Sequence, residues 1–301
     1  LSALSAEEAF LAYEAVRHRL PPVAARAGGF RRAATLEELA EDFDVFLLDA
    51  FGVLNIGESA IPGTPERIAA LQAAGKRVLI VSNAAGTSHA ALMEKYARLG
   101  YRFAPEDVIT SRATLLAGLN GQRGLHWGLM ATRSTGLADL EGLNLTYLEE
   151  EPGPYAEVDG FLMIGAAAWT DARQALLEAA LEERPRPVLV GNPDIVAPRE
   201  SGFSAEPGHF AHRLADRTRI APRFFGKPFT NIFERAFARL GPVDRSRVLM
   251  VGDSLHTDIL GAQGAGVASA LIAHWGFFSG QDVEAAIARS GIVPDYLVDR
   301  P

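Results

Sequence analysis

The chain has 301 residues, 48% of them hydrophobic and 22% charged, with a formal net charge of -8 and no cysteine. This length admits one large domain or two ordinary ones, and the composition is that of a globular chain, not a disordered one. The acidic balance argues against nucleic acid as a partner, since phosphate backbones are held by clustered Lys and Arg, and the missing cysteines exclude disulfides, thiolate metal sites and thiol nucleophiles and fit a reducing, cytoplasmic setting.

In chain order, Leu1 to Phe10 carries Glu7 and Glu8 without a basic stretch, so no secretory signal is expected. Ser5 with Glu8 and Thr35 with Glu38 have capping-box spacing, and Pro21-Pro22 and Gly28-Gly29 break the chain between them. Residues 1–43 therefore read as an N-terminal extension of two short helices. A strand over 44–49 then delivers Asp49 at its carboxyl end, and Gly52 opens a turn directly after it. That is where open α/β sheets put their chemistry. Helix 64–74 closed by Gly75, strand 77–82 and helix 88–99 closed by Gly100 continue an alternation that implies right-handed βαβ units and a parallel sheet.

Residues 111–215 carry a separate α/β pattern, with strands near 125–130, 144–148, 158–164 and 187–191 and an amphipathic helix at 170–183. The first pattern then resumes with helix 229–240, strand 247–252, helix 257–263 and strand 267–272. The longest stretch without charge, Ile259 to Gln281, is interrupted by Gln263, His274 and five glycines, which predicts a buried strand with flanking turns and no membrane span. The expected architecture is a parallel sheet built from 44–110 and 216–301, interrupted by a second domain at 111–215.

Four elements fall at strand ends in a fixed order: Asp49; Ser82 in Val81-Ser82-Asn83; Lys227 in Gly226-Lys227-Pro228; and Asp253 with Asp258 in Gly252-Asp253-Ser254-Leu255-His256-Thr257-Asp258. In this order the chain, from about Asp44 onward, resembles the haloacid dehalogenase-like (HAD) hydrolase superfamily, and within it subclass IIA, the NagD-like and pyridoxal-phosphate-phosphatase-like branch. The resemblance implies a Rossmann-like parallel sheet core with an inserted α/β cap of type C2. The spacing agrees: 33 positions separate Asp49 from Ser82 and 145 separate Ser82 from Lys227, so only the second interval has room for a domain. Gly191-Asn192-Pro193-Asp194 resembles the T-N-x-D segment of that subclass.

The resemblance implies an Mg2+-dependent phosphatase acting on a small phosphorylated metabolite. Asp49 would attack phosphorus to give an aspartyl-phosphate that water hydrolyses. Lys227 would offset charge, and Ser82, Asn83 and the backbone at Gly52 would hold the transferred oxygens. Asp49, Asp253, Asp258 and the main-chain carbonyl of Phe51 would hold the metal, which takes hard oxygen ligands. Asn192 and Asp194 would face substrate or brace the return to the core. The resemblance also raises a homodimer through the cap, with the oligomeric state left open.

Phe51 departs from the pattern, since the family usually has a second aspartate there, its general acid and base. Losing such a group costs typically ~10²–10⁴ in rate. His256 and His89 are the titratable candidates to replace it. Two other readings stay open. One is a phosphate-ligand binding protein with little turnover, and the other a metal-independent dehalogenase, whose similar Asp-Ala-Phe-Gly motif is opposed by the cap position and the paired aspartates. Each residue also has a plainer role: Ser82 as a turn former, Lys227 as a loop lysine, Asp253 and Asp258 as helix caps, Phe51 as packing, Asn192-Pro193-Asp194 as a turn.

Overall fold

A computed structural model of the chain describes residues 4–23, 28–198 and 202–301. The central element is a seven-stranded, all-parallel sheet in the order 31–35, 296–300, 268–272, 248–252, 45–48, 77–82, 108–110. The strand Val45–Leu48 is buried at every position. Val45 and Leu47 pack into the hydrophobic layer of Ile232, Phe233 and Met250, while Phe46 and Leu48 pack into the opposite layer with Ile68, Leu71 and Ile80. Burial on both faces is why this strand reads as a continuous apolar run. It also leaves Asp49, the next residue, at the sheet's carboxyl edge.

A second parallel sheet, in the order 223–224, 188–190, 160–163, 126–130, 144–147, rises from the chain between Ser82 and Lys227. Its own core includes Tyr155, Phe161, Leu177 and Phe210. An antiparallel strand pair, Val196–Pro198 with Phe203–Ala205, precedes the helix Pro207–Thr218.

Three expectations differ from the structure. The N-terminal extension holds one helix, Ala6–Ala15, with the Ser5 and Glu8 capping box formed, but its second half is a strand, Arg31–Thr35, on the edge of the core sheet. Thr35 and Glu38 make no reciprocal cap: Glu38 accepts from the Ala34 N–H, and Leu36–Leu39 is a single 3₁₀ turn. An apolar Ala33 facing the core and pairing with the last strand outweighs the local helix signal. The extension is thus no separate piece. The second sheet also runs past residue 215, because the helix continues to Thr218 and Arg223–Phe224 pairs with Val188–Val190. The helix expected at 257–263 is a π-helical turn, Leu255–Ile259, leading into Leu260–Ala265. Of Leu1 to Phe10, residues 1–3 lie outside the described residues. Among the described residues no helix is long and apolar enough to cross a membrane.

Candidate active site

Asp49, Ser82, Lys227 and Asp253 line one cleft of about 590 Å³ between the carboxyl edge of the core sheet and the second sheet. Two neighbouring parallel strands put Asp49 and Asp253 side by side, and the Asp49 N–H extends the ladder to the Val251 carbonyl (2.9 Å). Lys227 Nζ sits 2.6 Å from Asp49 Oδ1 and 2.8 Å from Asp258 Oδ1, and is 1% exposed, which rules out a solvated loop lysine. Asp258 does cap its own turn, its Oδ2 accepting from the Asp253 and Ser254 N–H groups (3.1 Å each), while Oδ1 faces the lysine. Asp253 Oδ2 accepts from the Phe277 N–H at 2.7 Å.

Glycine is required around Asp253. Gly52 (φ +75°) and Gly276 (φ +68°) both have left-handed backbone, and a Cβ on either would collide with the Asp253 carboxylate. The Gly52 N–H itself donates to the Asn55 carbonyl (3.0 Å).

One oxygen from each of Asp49, Asp253 and Asp258 falls within 4.8 Å of the other two. Burial pushes the Asp49 carboxyl up to about 6, Lys227 pulling it back and Asp258 adding to the rise. Asp253 is held well above the ordinary carboxylate range by burial and by the charges of Asp258 and Asp49. For Lys227, burial works to lower the ammonium, but Asp258 and then Asp49 outweigh it, so the side chain stays charged. Three clustered carboxylates share one lysine. With all three ionised the site is two positive charges short of balance, and a hard oxygen donor set of this kind fits a divalent cation such as Mg2+.

Asn83 is a staple. Its Nδ2 donates to Asp194 Oδ1 (2.7 Å) and the Lys227 carbonyl (2.9 Å), and its Oδ1 accepts from the Lys227 N–H (2.8 Å). Ser82 Oγ accepts from the Ala84 N–H at 3.3 Å, a local turn that still leaves it lining the cleft. Asn192 Oδ1 accepts from the Asp194 N–H (3.0 Å), an Asx turn, and its Nδ2 donates to Glu206 (3.3 Å). Burial raises the Asp194 carboxyl to about 8 against the pull of Asn83 and Lys227, with Asp49 and Glu206 adding to the rise.

Phe51 lines the cleft and bridges to Asn55. Neither histidine considered as its substitute lines that cleft. His89 Nε2 pairs with the Pro105 carbonyl (2.9 Å). His256 is buried against Tyr13 and meets Glu14 Oε1 at 2.5 Å; burial lowers its ring to about 4, with Glu14 opposing. Sequence reasoning missed Tyr13, which reaches the cleft from the N-terminal helix, and Glu206. On its helix Tyr13 looks like any core residue, and no local pattern marks it.

A buried carboxylate at the end of a central parallel strand, faced by a lysine and by two more carboxylates at and just beyond the end of the neighbouring strand, marks an α/β enzyme whose cleft is built on carboxylates. Family models described as haloacid dehalogenase-like hydrolase and HAD-hydrolase-like match residues 46–137 and 224–300. The chain is 31% identical to glycerol-3-phosphate phosphatase of Gallus gallus over 91% of this chain and 96% of that protein. It is 25% identical to 4-nitrophenylphosphatase of Schizosaccharomyces pombe, covering 87% and 93%. A HAD-superfamily structure from Cytophaga hutchinsonii, described as a possible sugar phosphatase, superposes with a TM-score of 0.78 at 23% identity, over 90% of this chain and 98% of that one. The chain belongs to the haloacid dehalogenase-like hydrolases, in subclass IIA.

Proposed function

We propose that this protein is an Mg2+-dependent phosphatase of small phosphorylated metabolites, with Asp49 as nucleophile. The observation that carries the reading is the Asp49–Lys227–Asp258 contact beside Asp253, in one cleft. The names of relatives support it: they include glycerol-3-phosphate and 4-nitrophenyl phosphatases, and the glycerol phosphate phosphatase of Mycobacterium tuberculosis has been crystallised with magnesium (24% identity, TM-score 0.67, 86% of this chain and 75% of that one).

Asp49, Asp253, Asp258 and the Phe51 carbonyl would hold the ion, which neutralises phosphoryl charge when bound. A carboxylate oxygen of Asp49 attacks phosphorus, the bond from phosphorus to the leaving oxygen breaks, and that oxygen takes a proton. Water then cleaves the acyl phosphate, returning the carboxylate and releasing phosphate. Lys227 stays protonated throughout and offsets charge on Asp49 and on the transferred group. Ser82 holds a phosphoryl oxygen, Asn83 holds Lys227 in place, and Asn192 and Asp194 brace the substrate side; the Gly52 N–H, spent on the Asn55 carbonyl, takes no part. Phe51 can supply no proton, so protonation of the leaving oxygen falls to water and turnover is slow.

A screen of phosphomonoesters with Mg2+, run with and without EDTA, tests the reading. Hydrolysis that needs Mg2+ and is lost in Asp49→Asn is the expected result. Equal rates in Asp49→Asn would sink it, and tight Mg2+-dependent binding without product would favour the second reading suggested by Phe51, a phosphate-ligand binding protein.

A further inference from the structure

The N-terminal helix Ala6–Ala15 lies outside both segments matched by the family models, yet it forms part of the cleft wall. Tyr13, 2% exposed, lines the same cleft as Asp49 and Lys227. Its phenolic oxygen accepts from the Ile195 N–H (3.2 Å), and among the described residues nothing accepts its own proton. Buried hydroxyls normally satisfy both roles. A buried donor on a cleft wall, its oxygen already engaged, is set to donate to whatever fills the cleft.

Its position is rigid. The Tyr13 ring stacks on His256 (5.0 Å between centroids, 12° between planes) and meets Phe277 edge-on at 6.2 Å. Glu14, the next residue, holds His256, and Glu7 on the same helix makes two bonds to Arg289 (2.7 and 2.9 Å). His256 stands between Asp253 and Asp258, and the Phe277 N–H donates to Asp253, so the helix is anchored on the segments that carry the metal-site carboxylates. On its other side Tyr13 is bonded to the residue directly after Asn192-Pro193-Asp194.

The charges of the cleft narrow what can lie there. Among the described residues each lining cation already has an anionic partner: Lys227 with Asp49 and Asp258, Lys95 with Glu58 (2.8 Å) and Arg98 with Glu58 (3.5 Å). A second anionic group on the substrate would meet Glu94 with no spare cation among the described lining residues, whereas an alcohol oxygen needs only a hydrogen-bond donor.

Resting on the phosphatase reading, we propose that Tyr13 is a substrate-contacting residue that donates its phenolic hydrogen to an alcohol oxygen on the organic part of the phosphomonoester. It thereby selects hydroxyl-bearing esters with no second anionic group. The N-terminal helix is then a specificity element of this hydrolase and not an appendage.

Calorimetry with Mg2+ in an Asp49→Asn background, where neither ligand is turned over, compares glycerol 3-phosphate with inorganic phosphate. Adding Tyr13→Phe should weaken glycerol 3-phosphate about 3–10-fold, the worth of one hydrogen bond, and leave phosphate unchanged within about twofold. Equal loss on both ligands, or no loss on either, overturns the proposal. So does glycerol 3-phosphate binding no tighter than phosphate when Tyr13 is intact. Fluorotyrosine at position 13 of the otherwise unchanged chain gives a reading independent of how stable Tyr13→Phe is. Its fluorine resonance should move on adding glycerol 3-phosphate and stay for phosphate; an unmoved resonance overturns the proposal as well. Failure of the phosphatase reading itself shows separately, as absence of turnover in the parent protein.

Discussion

Lys227 Nζ bridges Asp49 Oδ1 and Asp258 Oδ1, at 2.6 and 2.8 Å, from a position that is almost completely buried. One ammonium thereby ties the end of one strand to the helical turn that follows its neighbour and offsets part of the charge of the carboxylate cluster. Replacing it with an apolar side chain of similar length leaves those carboxylates uncompensated, and breaking a buried pair from one side costs about 3–5 kcal/mol. Lys227→Met should melt well below the parent in EDTA and recover part of the difference in Mg2+. Equal melting of both proteins in EDTA would show that the lysine carries no structural weight.

Binding of Mg2+ to the folded state alone stabilises the protein by mass action, by about 2.7 kcal/mol at a hundredfold excess over Kd. The parent should therefore melt higher in Mg2+ than in EDTA. Asp253→Asn should lose most of that increment, because Asp253 contributes one of the three clustered oxygens. Thermal melts of both proteins across a magnesium titration decide the point, and an unchanged increment in the variant would place the ion elsewhere.

Phe51→Asp should raise kcat by about 10²–10⁴ with little change in KM, the usual contribution of a general acid and base. Steady-state kinetics on one good substrate are enough. No gain would mean that proton transfer does not limit turnover or that the new carboxylate points away from the leaving oxygen.

Asp194 links stability to pH. An unfolded aspartate titrates near ~3.9, but burial holds the folded group at about 8. Between these values the native state keeps a proton that the unfolded state has lost, so this residue's contribution is full at low pH and declines as pH rises towards 8. Asp194→Asn keeps an oxygen for Asn83 and removes the titration. Relative to the parent it should gain about 2–4 °C in melting temperature between pH 5 and pH 8, for each ~1 kcal/mol of linkage removed. A constant difference across that range would count against a buried, protonated Asp194.

The alternation of strands and helices, the long gap after Ser82 and the order Asp49, Ser82, Lys227, Asp253 and Asp258 were all readable in the chain. Periodicity, turn residues and strand-end placement are local properties, and parallel strands fully buried on both faces leave a plain apolar signature. The Thr35–Glu38 signal misled, because a helix-cap pattern there yields to pairing of Arg31–Thr35 with Tyr296–Arg300, a contact about 265 positions away.

By itself the sequence determined the sheet-forming pattern, the long interval between Ser82 and Lys227 and the residue types that meet near the strand ends. Only the tertiary structure decided that Lys227 is shared between Asp49 and Asp258, that Asn83 staples three segments, that His89 and His256 are spent on other contacts, and that Tyr13 lines the cleft. The reason is physical. Local propensity sets what each segment becomes, whereas burial, charge balance and the final partner of each polar atom depend on residues that chain distance does not reveal.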